Sequence, residues 1–174
     1  LVGYSMGGWV VTAYAAIHPK MIKRLFLLAP AGMGHELGWT AKLVRDVPII
    51  GDWVFMTIYA TQHRRGCEVE RALENTVPFV VDRQQKELQY RGFIPSVLAS
   101  LRGALANDTK EDHQRIAYYD LDIHAIWGAD DVVIPLSAKD QLEAWNPKVR
   151  HHVIEGAGHG VTYTHTDAMM AAFD

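Results

Sequence analysis

Cysteine is almost absent from this chain, in which Cys67 is the only one among 174 residues. A single thiol cannot form an internal disulfide, and it cannot build a zinc or iron–sulfur site that needs several thiolates. We therefore expect neither a disulfide framework nor a thiolate metal cluster. Because disulfides are rare in reducing compartments, the expected location is the cytoplasm.

Strong charge and long apolar runs are missing as well. The chain has 17 Lys and Arg against 20 Asp and Glu, a formal net charge of −3, and no basic stripe. This balance argues against nucleic acid and anionic membranes as partners. No apolar run approaches the roughly 20 residues of a membrane-spanning helix. Hydrophobic residues nevertheless make up 49% of the chain, so the composition predicts a globular protein with a real core.

A Gly-x-Ser-x-Gly pentad centred on Ser5 stands at the start of the chain, between an apolar run and a helical pattern. This strand–turn–helix context is typical of a nucleophile elbow, whose serine takes strained backbone angles. We expect Gly3 and Gly7 to let the strand and the helix pass closely. The backbone N–H of Met6 is expected to face an oxyanion at the helix N-terminus. The alternative is a glycine-rich turn with an incidental serine.

The two ends of the chain have the pattern of a parallel sheet with helices. The helix after the pentad is expected to end before Pro19, and the unbroken apolar run 25–29 is typical of a strand covered on both faces. Further strands are predicted over 122–128 and 149–154, with helices over 136–145 and from 167 onward. The predicted fold class is therefore α/β, with a mostly parallel sheet and flanking helices.

The middle of the chain, 35–119, shows no strand pattern. Its amphipathic helical stretches cover 37–47, 53–59, 68–75, 82–90 and 93–105. A segment of this length is too long for a loop, so we predict an inserted helical lid over 35–119 and a core formed by 1–34 and 120–174.

Two polar loops directly follow predicted strands. One contains Asp130 and Asp131, and the other contains His159 among glycines. Groups just past the carboxyl ends of parallel strands lie at the same edge of the sheet. A nucleophilic serine needs an imidazole to take its proton and a carboxylate to orient that imidazole. Ser5, His159 and one of the two aspartates therefore form a candidate catalytic set.

Three segments of the chain, 3–8, 126–135 and 156–159, resemble motifs of the α/β-hydrolase fold superfamily, in the chain order Ser…Asp…His. The resemblance implies Ser5 as nucleophile, His159 as base and the Met6 amide as an oxyanion donor. It favours Asp131 as the acid, as the fourth residue of a Gly-x-x-Asp turn with Pro135 four positions later. Asp130 remains the alternative.

The resemblance covers the C-terminal two-thirds of such a protein. It implies that the N-terminal strands, the second oxyanion donor and any targeting signal precede Leu1. We expect residues 1–174 expressed alone to aggregate or to lack activity, because the first strand would present an open apolar edge.

Serine at the elbow also selects among activities. Haloalkane dehalogenases and epoxide hydrolases of this fold use aspartate there, so Ser5 argues against both. The expected function is hydrolysis of a small hydrophobic carboxylic ester through an acyl-enzyme, without a cofactor. A C–C bond hydrolase or lyase of the same fold and a non-catalytic ligand-binding member are the alternatives. The sequence leaves the oligomeric state open.

Large apolar side chains of the predicted lid suggest a hydrophobic substrate pocket. Tyr4, Trp39 and Phe93 are the candidate substrate-binding residues, although packing within the fold is the alternative for each of them. Arg91 and Arg102 are candidate carboxylate binders for a C–C hydrolase.

Histidines on the last two predicted strands are candidate metal ligands. His151 and His152 alternate faces, and with Asp122 and His124 their spacing matches no standard site. We therefore predict no metal.

Overall fold

The computed structural model describes residues 1–34 and 39–173, with side chains described for 1–34 and 42–173. The chain divides into two compact units. The first unit comprises Leu1–His35 and Asn107–Asp174, and the second comprises Glu36–Ala106. Among the described residues, no helix has both the length and the apolar character needed to cross a bilayer.

The first unit is built on a parallel sheet. Its strands lie in the order β1-β2-β3-β4, and each is parallel to its neighbour. They are β1 Val2–Tyr4, β2 Arg24–Leu28, β3 Asp122–Gly128 and β4 Arg150–Ile154. The described helices are α1 Met6–Ile17, α2 Trp39–Asp46, α3 Ile50–Arg71, α4 Val80–Glu87, α5 Phe93–Arg102, α6 Lys110–Ala117, α7 Ser137–Trp145, α8 Val161–Thr164 and α9 Thr166–Ala171. The predicted α/β fold class is confirmed.

The core of the first unit lies on both faces of the sheet. After the exposed Arg24, strand β2 is apolar and buried without alternation, as expected for a strand covered on two sides. Phe26 and Ile126 pack on one face with Val161 and Met169 of the C-terminal helices. Leu27, on the opposite face of β2, is 0% exposed. This sheet brings the carboxyl ends of its strands to one edge, where the polar loops lie.

Helix α6 belongs to the first unit, although the sequence analysis assigns it to the 35–119 insertion. It packs against α1 and α7, and it buries His113 and Ile116 completely. Just before it, Thr109 donates two hydrogen bonds to the carbonyl of Gly32, from its backbone N–H at 2.8 Å and from its hydroxyl at 2.9 Å. The compact helical unit is therefore shorter than the predicted insertion and ends at Ala106.

The second unit is helical in its described part. The sequence predicts separate helices over 53–59 and 68–75, but the structure has one 22-residue helix, α3. Gly51 is the second residue of this helix. A Cβ at Gly51 would lie 2.8 Å from the carbonyl oxygens of Leu43 and Val44, so this glycine lets the start of α3 approach the end of α2.

Apolar and polar contacts hold the helical unit together. Val44, Phe55 and Leu98 form its core. Arg102 donates from Nη2 to the Val44 carbonyl at 2.6 Å and forms an ion pair with Asp52. Arg102 is thus used inside the unit, which weakens its candidacy as a carboxylate binder.

The single cysteine is also used for packing. Cys67 is 4% exposed, and its sulfur lies 3.6 Å from Nε2 of His63 and 3.5 Å from Oε1 of Gln84. Burial raises the pKa of the Cys67 thiol. A buried thiol with a raised pKa holds little thiolate near neutral pH, so the structure favours a passive packing role.

Candidate active site

Ser5 occupies the sharp turn between β1 and α1. Its backbone angles, φ 51° and ψ −119°, lie outside the regions that non-glycine residues prefer. Three main-chain hydrogen bonds hold this conformation. The Ser5 N–H donates to the Leu28 carbonyl at 2.9 Å, and the Ser5 carbonyl accepts from Gly8 at 2.9 Å and from Ala31 at 3.0 Å. The strain is thus held by the neighbouring strand and its loop.

Glycine is required on both sides of the turn, at Gly3 and Gly8, whereas the sequence predicts Gly3 and Gly7. A Cβ at Gly3 would lie 2.5 Å from the Gly7 carbonyl oxygen, and one at Gly8 would lie 2.6 Å from Cβ of Pro30. A Cβ at Gly7 would meet nothing within 4 Å. The expected need for glycine at position 7 is therefore wrong on steric grounds, and Gly8 is the residue that lets α1 pass the loop after β2.

Asp131 follows β3 and uses both of its carboxylate oxygens. Oδ1 accepts the backbone N–H groups of Val133 and Ile134, each at 2.8 Å. Oδ2 lies 2.8 Å from Nδ1 of His159. The residue is 5% exposed, so the carboxylate is oriented by fixed donors in a place that excludes most water. The two amide donors are not among the groups predicted from the sequence, although an aspartate that binds the amides two and three positions on is a known turn pattern.

The loop that carries His159 follows β4 and is joined directly to the aspartate loop. The Asp130 N–H donates to the Ala157 carbonyl at 2.9 Å, and the Ala129 N–H donates to the Ile154 carbonyl at 3.0 Å. Of the two aspartates, the structure therefore brings the side chain of Asp131 to His159 and uses the backbone of Asp130 to join the loops.

His159 lies between Asp131 and Ser5. Its Nε2 is 2.9 Å from Oγ of Ser5. With the imidazole protonated at Nδ1, Nδ1–H donates to the Asp131 carboxylate and Nε2 accepts the serine hydroxyl proton. Three residues separated by up to 154 positions thus form one chain of hydrogen bonds at the carboxyl edge of the sheet.

Met6 begins helix α1 directly after Ser5. Within the described residues its backbone N–H makes no hydrogen bond, as is usual for the first amides of a helix. This donor is therefore available next to the serine hydroxyl.

The candidate substrate-binding residues have three different placements. The Tyr4 hydroxyl donates to the backbone carbonyl of His159 at 2.9 Å. The side chain of Trp39 lies outside the described residues. Phe93 begins α5 in the helical unit, where its ring centroid is 6.4 Å from that of His63. Substrate contact by these residues stays a prediction.

The strand histidines bind one another and their neighbours. Nδ1 of His124 is 3.0 Å from Nε2 of His152, and Nε1–H of Trp127 donates to Nδ1 of His151 at 3.0 Å. His151 and His152 thus have separate partners. In the part of the chain that the structure describes, no group of three or more His, Cys, Asp or Glu is arranged to hold a metal ion.

Two curated relatives are about a quarter identical to this chain over the aligned residues. A 2-hydroxymuconate semialdehyde hydrolase of Pseudomonas putida is 27% identical over 175 residues, covering 96% of this chain and 58% of the relative. A 2-hydroxy-6-oxo-6-phenylhexa-2,4-dienoate hydrolase of Burkholderia cepacia is 25% identical, covering 97% of this chain and 58% of the relative. The chain thus spans a little over half the length of these two relatives.

Solved structures share the fold. A meta-cleavage product hydrolase from Pseudomonas fluorescens matches with a TM-score of 0.69 and 18% identity, covering 99% of this chain and 62% of the other. A thermophilic esterase from Thermogutta terrifontis matches with a TM-score of 0.64 and 18% identity, with the same coverage. A sequence model of the alpha/beta hydrolase fold matches residues 1–166. With the elbow, the parallel sheet and this match in agreement, the chain belongs to the α/β-hydrolase fold family.

Proposed function

We propose that the protein is a serine hydrolase that cleaves a carboxylic ester through an acyl-enzyme on Ser5. The observation that carries the proposal is the chain of two hydrogen bonds from Asp131 through His159 to Ser5, 2.8 Å and 2.9 Å long. This arrangement matches the roles of nucleophile, general base and orienting carboxylate. The family match supports it independently.

In the first half of the reaction, Oγ of Ser5 attacks the ester carbonyl carbon while Nε2 of His159 takes its proton. The negative charge that develops on the carbonyl oxygen is stabilised by the Met6 N–H, and Asp131 stabilises the imidazolium. Collapse of the tetrahedral intermediate breaks the C–O bond. His159 then returns its proton to the departing alkoxide, leaving an alcohol and an acyl group on Ser5.

In the second half, water replaces the alcohol. Nε2 of His159 takes a proton from the water as its oxygen attacks the acyl carbon, and the same proton goes back to Oγ of Ser5 when the acyl bond breaks. The products are the carboxylic acid and the regenerated serine. Since the imidazole starts and ends neutral, no external acid or base is consumed.

Hydrolysis of a C–C bond by the same residues is the second candidate. It is favoured by the two curated relatives, whose names specify a 2-hydroxymuconate semialdehyde and a phenylhexadienoate as substrates. A dienoate substrate needs a cation for its carboxylate. Arg102 is engaged with Val44 and Asp52, which leaves exposed Arg91 as the remaining candidate from the sequence analysis.

The first prediction separates these activities. The full-length protein is assayed with p-nitrophenyl esters of graded chain length and with 2-hydroxy-6-oxo-6-phenylhexa-2,4-dienoate. We expect ester turnover with a preference for apolar acyl chains, and Ser5→Ala is expected to lower kcat by about 10⁴-fold or more because the nucleophile is lost.

Each alternative has its own outcome. Turnover of the dienoate with little ester turnover supports C–C hydrolysis by the same serine. Saturable binding of substrates without turnover of any of them supports a non-catalytic member. Full ester turnover by Ser5→Ala contradicts the assigned nucleophile.

A further inference from the structure

Tyr4 makes two contacts with His159, one with its backbone carbonyl and one with its ring. Ser5 and Asp131 contact the two ring nitrogens of the same histidine. The Tyr4 hydroxyl donates to the His159 backbone carbonyl at 2.9 Å. The two rings are tilted by 32° with their centroids 5.4 Å apart. Tyr4 is half-buried at the end of β1 and directly precedes Ser5. Consecutive residues therefore hold both the imidazole and the main chain of the same histidine.

The loop around His159 needs such an anchor. Residues 155–160 include three glycines, and Gly156 has a φ of 72°. Before the histidine, Ala157 is held through its carbonyl by Asp130 at 2.9 Å. After it, the Gly160 carbonyl accepts the backbone N–H and the hydroxyl of Thr164, both at 2.9 Å.

Between these two attachments, His159 itself is fixed to the sheet through Tyr4. The loop backbone on either side of the histidine is tied to the aspartate loop and to α8, neither of which carries the nucleophile. Tyr4 and Ser5 are neighbours in one chain segment, so the hydroxyl bond sets the His159 backbone relative to the nucleophile itself. A tether to the residue directly before Ser5 therefore bears on the distance from Nε2 to Oγ, together with the Asp131 hydrogen bond that orients the imidazole.

We propose that Tyr4 is a positioning residue that holds His159 over Ser5, and that it is not a substrate-binding residue. The inference rests on the proposed hydrolase function, since it assigns Tyr4 to the base of that reaction. Without the hydroxyl, the Phe ring still fills the space but the His159 carbonyl loses its donor. Turnover depends steeply on the placement of a general base, because misplacement by about 1 Å can cost about 100-fold.

The test compares Tyr4→Phe with Tyr14→Phe, whose hydroxyl lies on α1 near the sulfur of Met21 at 3.9 Å. Active sites are counted by titration with a fluorophosphonate, so that kcat refers to folded, reactive protein. We expect Tyr4→Phe to lower kcat by about 5- to 100-fold with KM changed by less than about 2-fold. Tyr14→Phe is expected to match the wild type.

Three patterns distinguish the possible roles of Tyr4. A raised KM with unchanged kcat means substrate binding and overturns the proposal. A lower titrated fraction with unchanged kcat per site means a structural role and also overturns it. A lower kcat per site at unchanged KM supports positioning.

A measurement independent of turnover separates this inference from the proposed function. The proton on Nδ1 of His159 is followed by NMR in both tyrosine variants. Its resonance is expected to broaden or shift in Tyr4→Phe alone, because the imidazole loses its fixed position against Asp131. If Ser5→Ala retains full ester turnover, the proposed function fails and this resonance alone decides the role of Tyr4. An unchanged resonance then overturns the inference.

Discussion

The carboxylate of Asp131 is held in place by its own loop and contacts His159 at the same time. Its two carboxylate oxygens accept three hydrogen bonds, two from the amides of its own loop and one from His159. The amide bonds hold the carboxylate in one rotamer, so the third bond reaches His159 without further ordering of the side chain. Asp130, one position earlier, contributes its backbone N–H to the neighbouring loop instead.

This difference gives the prediction at the residue scale. Asp131→Asn is expected to lower kcat for ester hydrolysis by about 10³- to 10⁴-fold, because an amide can present N–H to the imidazole and favour the wrong tautomer. Asp130→Asn is the matched control and is expected to stay within about 3-fold of the wild type, since only its backbone joins the loops. Steady-state kinetics give the kcat of each variant relative to the wild type. Equal losses in the two variants would contradict the assignment of Asp131.

At the scale of elements, the turn between β1 and α1 depends on a close approach of the helix to the loop after β2. Gly8 makes this approach possible, because a Cβ there would lie 2.6 Å from Cβ and 2.9 Å from Cα of Pro30. Part of that obstacle is backbone, which cannot move without shifting the loop that donates to the Ser5 carbonyl. Helix, loop and serine conformation are therefore coupled.

The prediction for this element compares adjacent glycines. Gly8→Ala is expected to lower the free energy of unfolding by about 1–3 kcal/mol, since overpacking displaces the loop. Gly7→Ala introduces a methyl group with nothing within 4 Å, and its better helix propensity is expected to leave stability unchanged or raise it by up to about 1 kcal/mol. Urea unfolding of both variants decides the comparison. If Gly7→Ala lowers the free energy of unfolding more than Gly8→Ala does, the close approach of α1 to the loop after β2 is not at Gly8.

At the scale of the whole molecule, the free energy of unfolding is affected by a buried titratable group that lies outside the candidate site. His113 on α6 is fully buried, and within the described residues neither of its ring nitrogens has a hydrogen-bond partner. Burial lowers the pKa of His113 from 6.5 to about 3. The folded protein therefore keeps this imidazole neutral well below the pH at which the unfolded chain protonates it.

The pH dependence follows with a definite sign. More than about one pH unit above 6.5 the His113 imidazole is neutral in both states, so it adds almost no pH dependence to stability there. As the pH falls from about 6.5 toward 3, the unfolded chain binds a proton that the folded protein does not. The free energy of unfolding then decreases by up to about 1.4 kcal/mol per pH unit.

The corresponding prediction uses His113→Phe, which keeps an aromatic ring near Trp145 and removes the titration. Between pH 6.5 and pH 5 the wild type is expected to lose about 1.6 kcal/mol more stability than this variant. Denaturant unfolding at the two pH values measures the difference, with the exposed His18 replaced by Phe as the control. Parallel pH profiles for the wild type and His113→Phe would contradict a buried neutral imidazole.

The sequence predicts the local order of the molecule well. The apolar run 25–29, which shows no alternation, predicts β2, because a strand covered on both faces needs apolar side chains on both of them. Proline predicts the end of α1 for a local steric reason. The α/β fold class follows from these patterns and is confirmed, and the expected α/β-hydrolase family agrees with the family match.

Local sequence patterns did not predict the boundaries of α3 or the unit to which α6 belongs, because both depend on packing between helices. The predicted helices 53–59 and 68–75 are joined in the single helix α3, Ile50–Arg71. Helix α6 belongs to the sheet unit because of its packing on α1 and α7. Neither outcome can be read from residues close in sequence.

Sequence patterns alone were enough to pick out a serine, two adjacent aspartates and a histidine after separate strands as candidates for the chemistry. The fold was needed to show that the side chain of Asp131 lies against His159, that Gly8 stands at the close approach, and that the Tyr4 hydroxyl donates to the His159 backbone. Each of these depends on distances of about 3 Å between residues far apart in the chain, and such distances are set by packing.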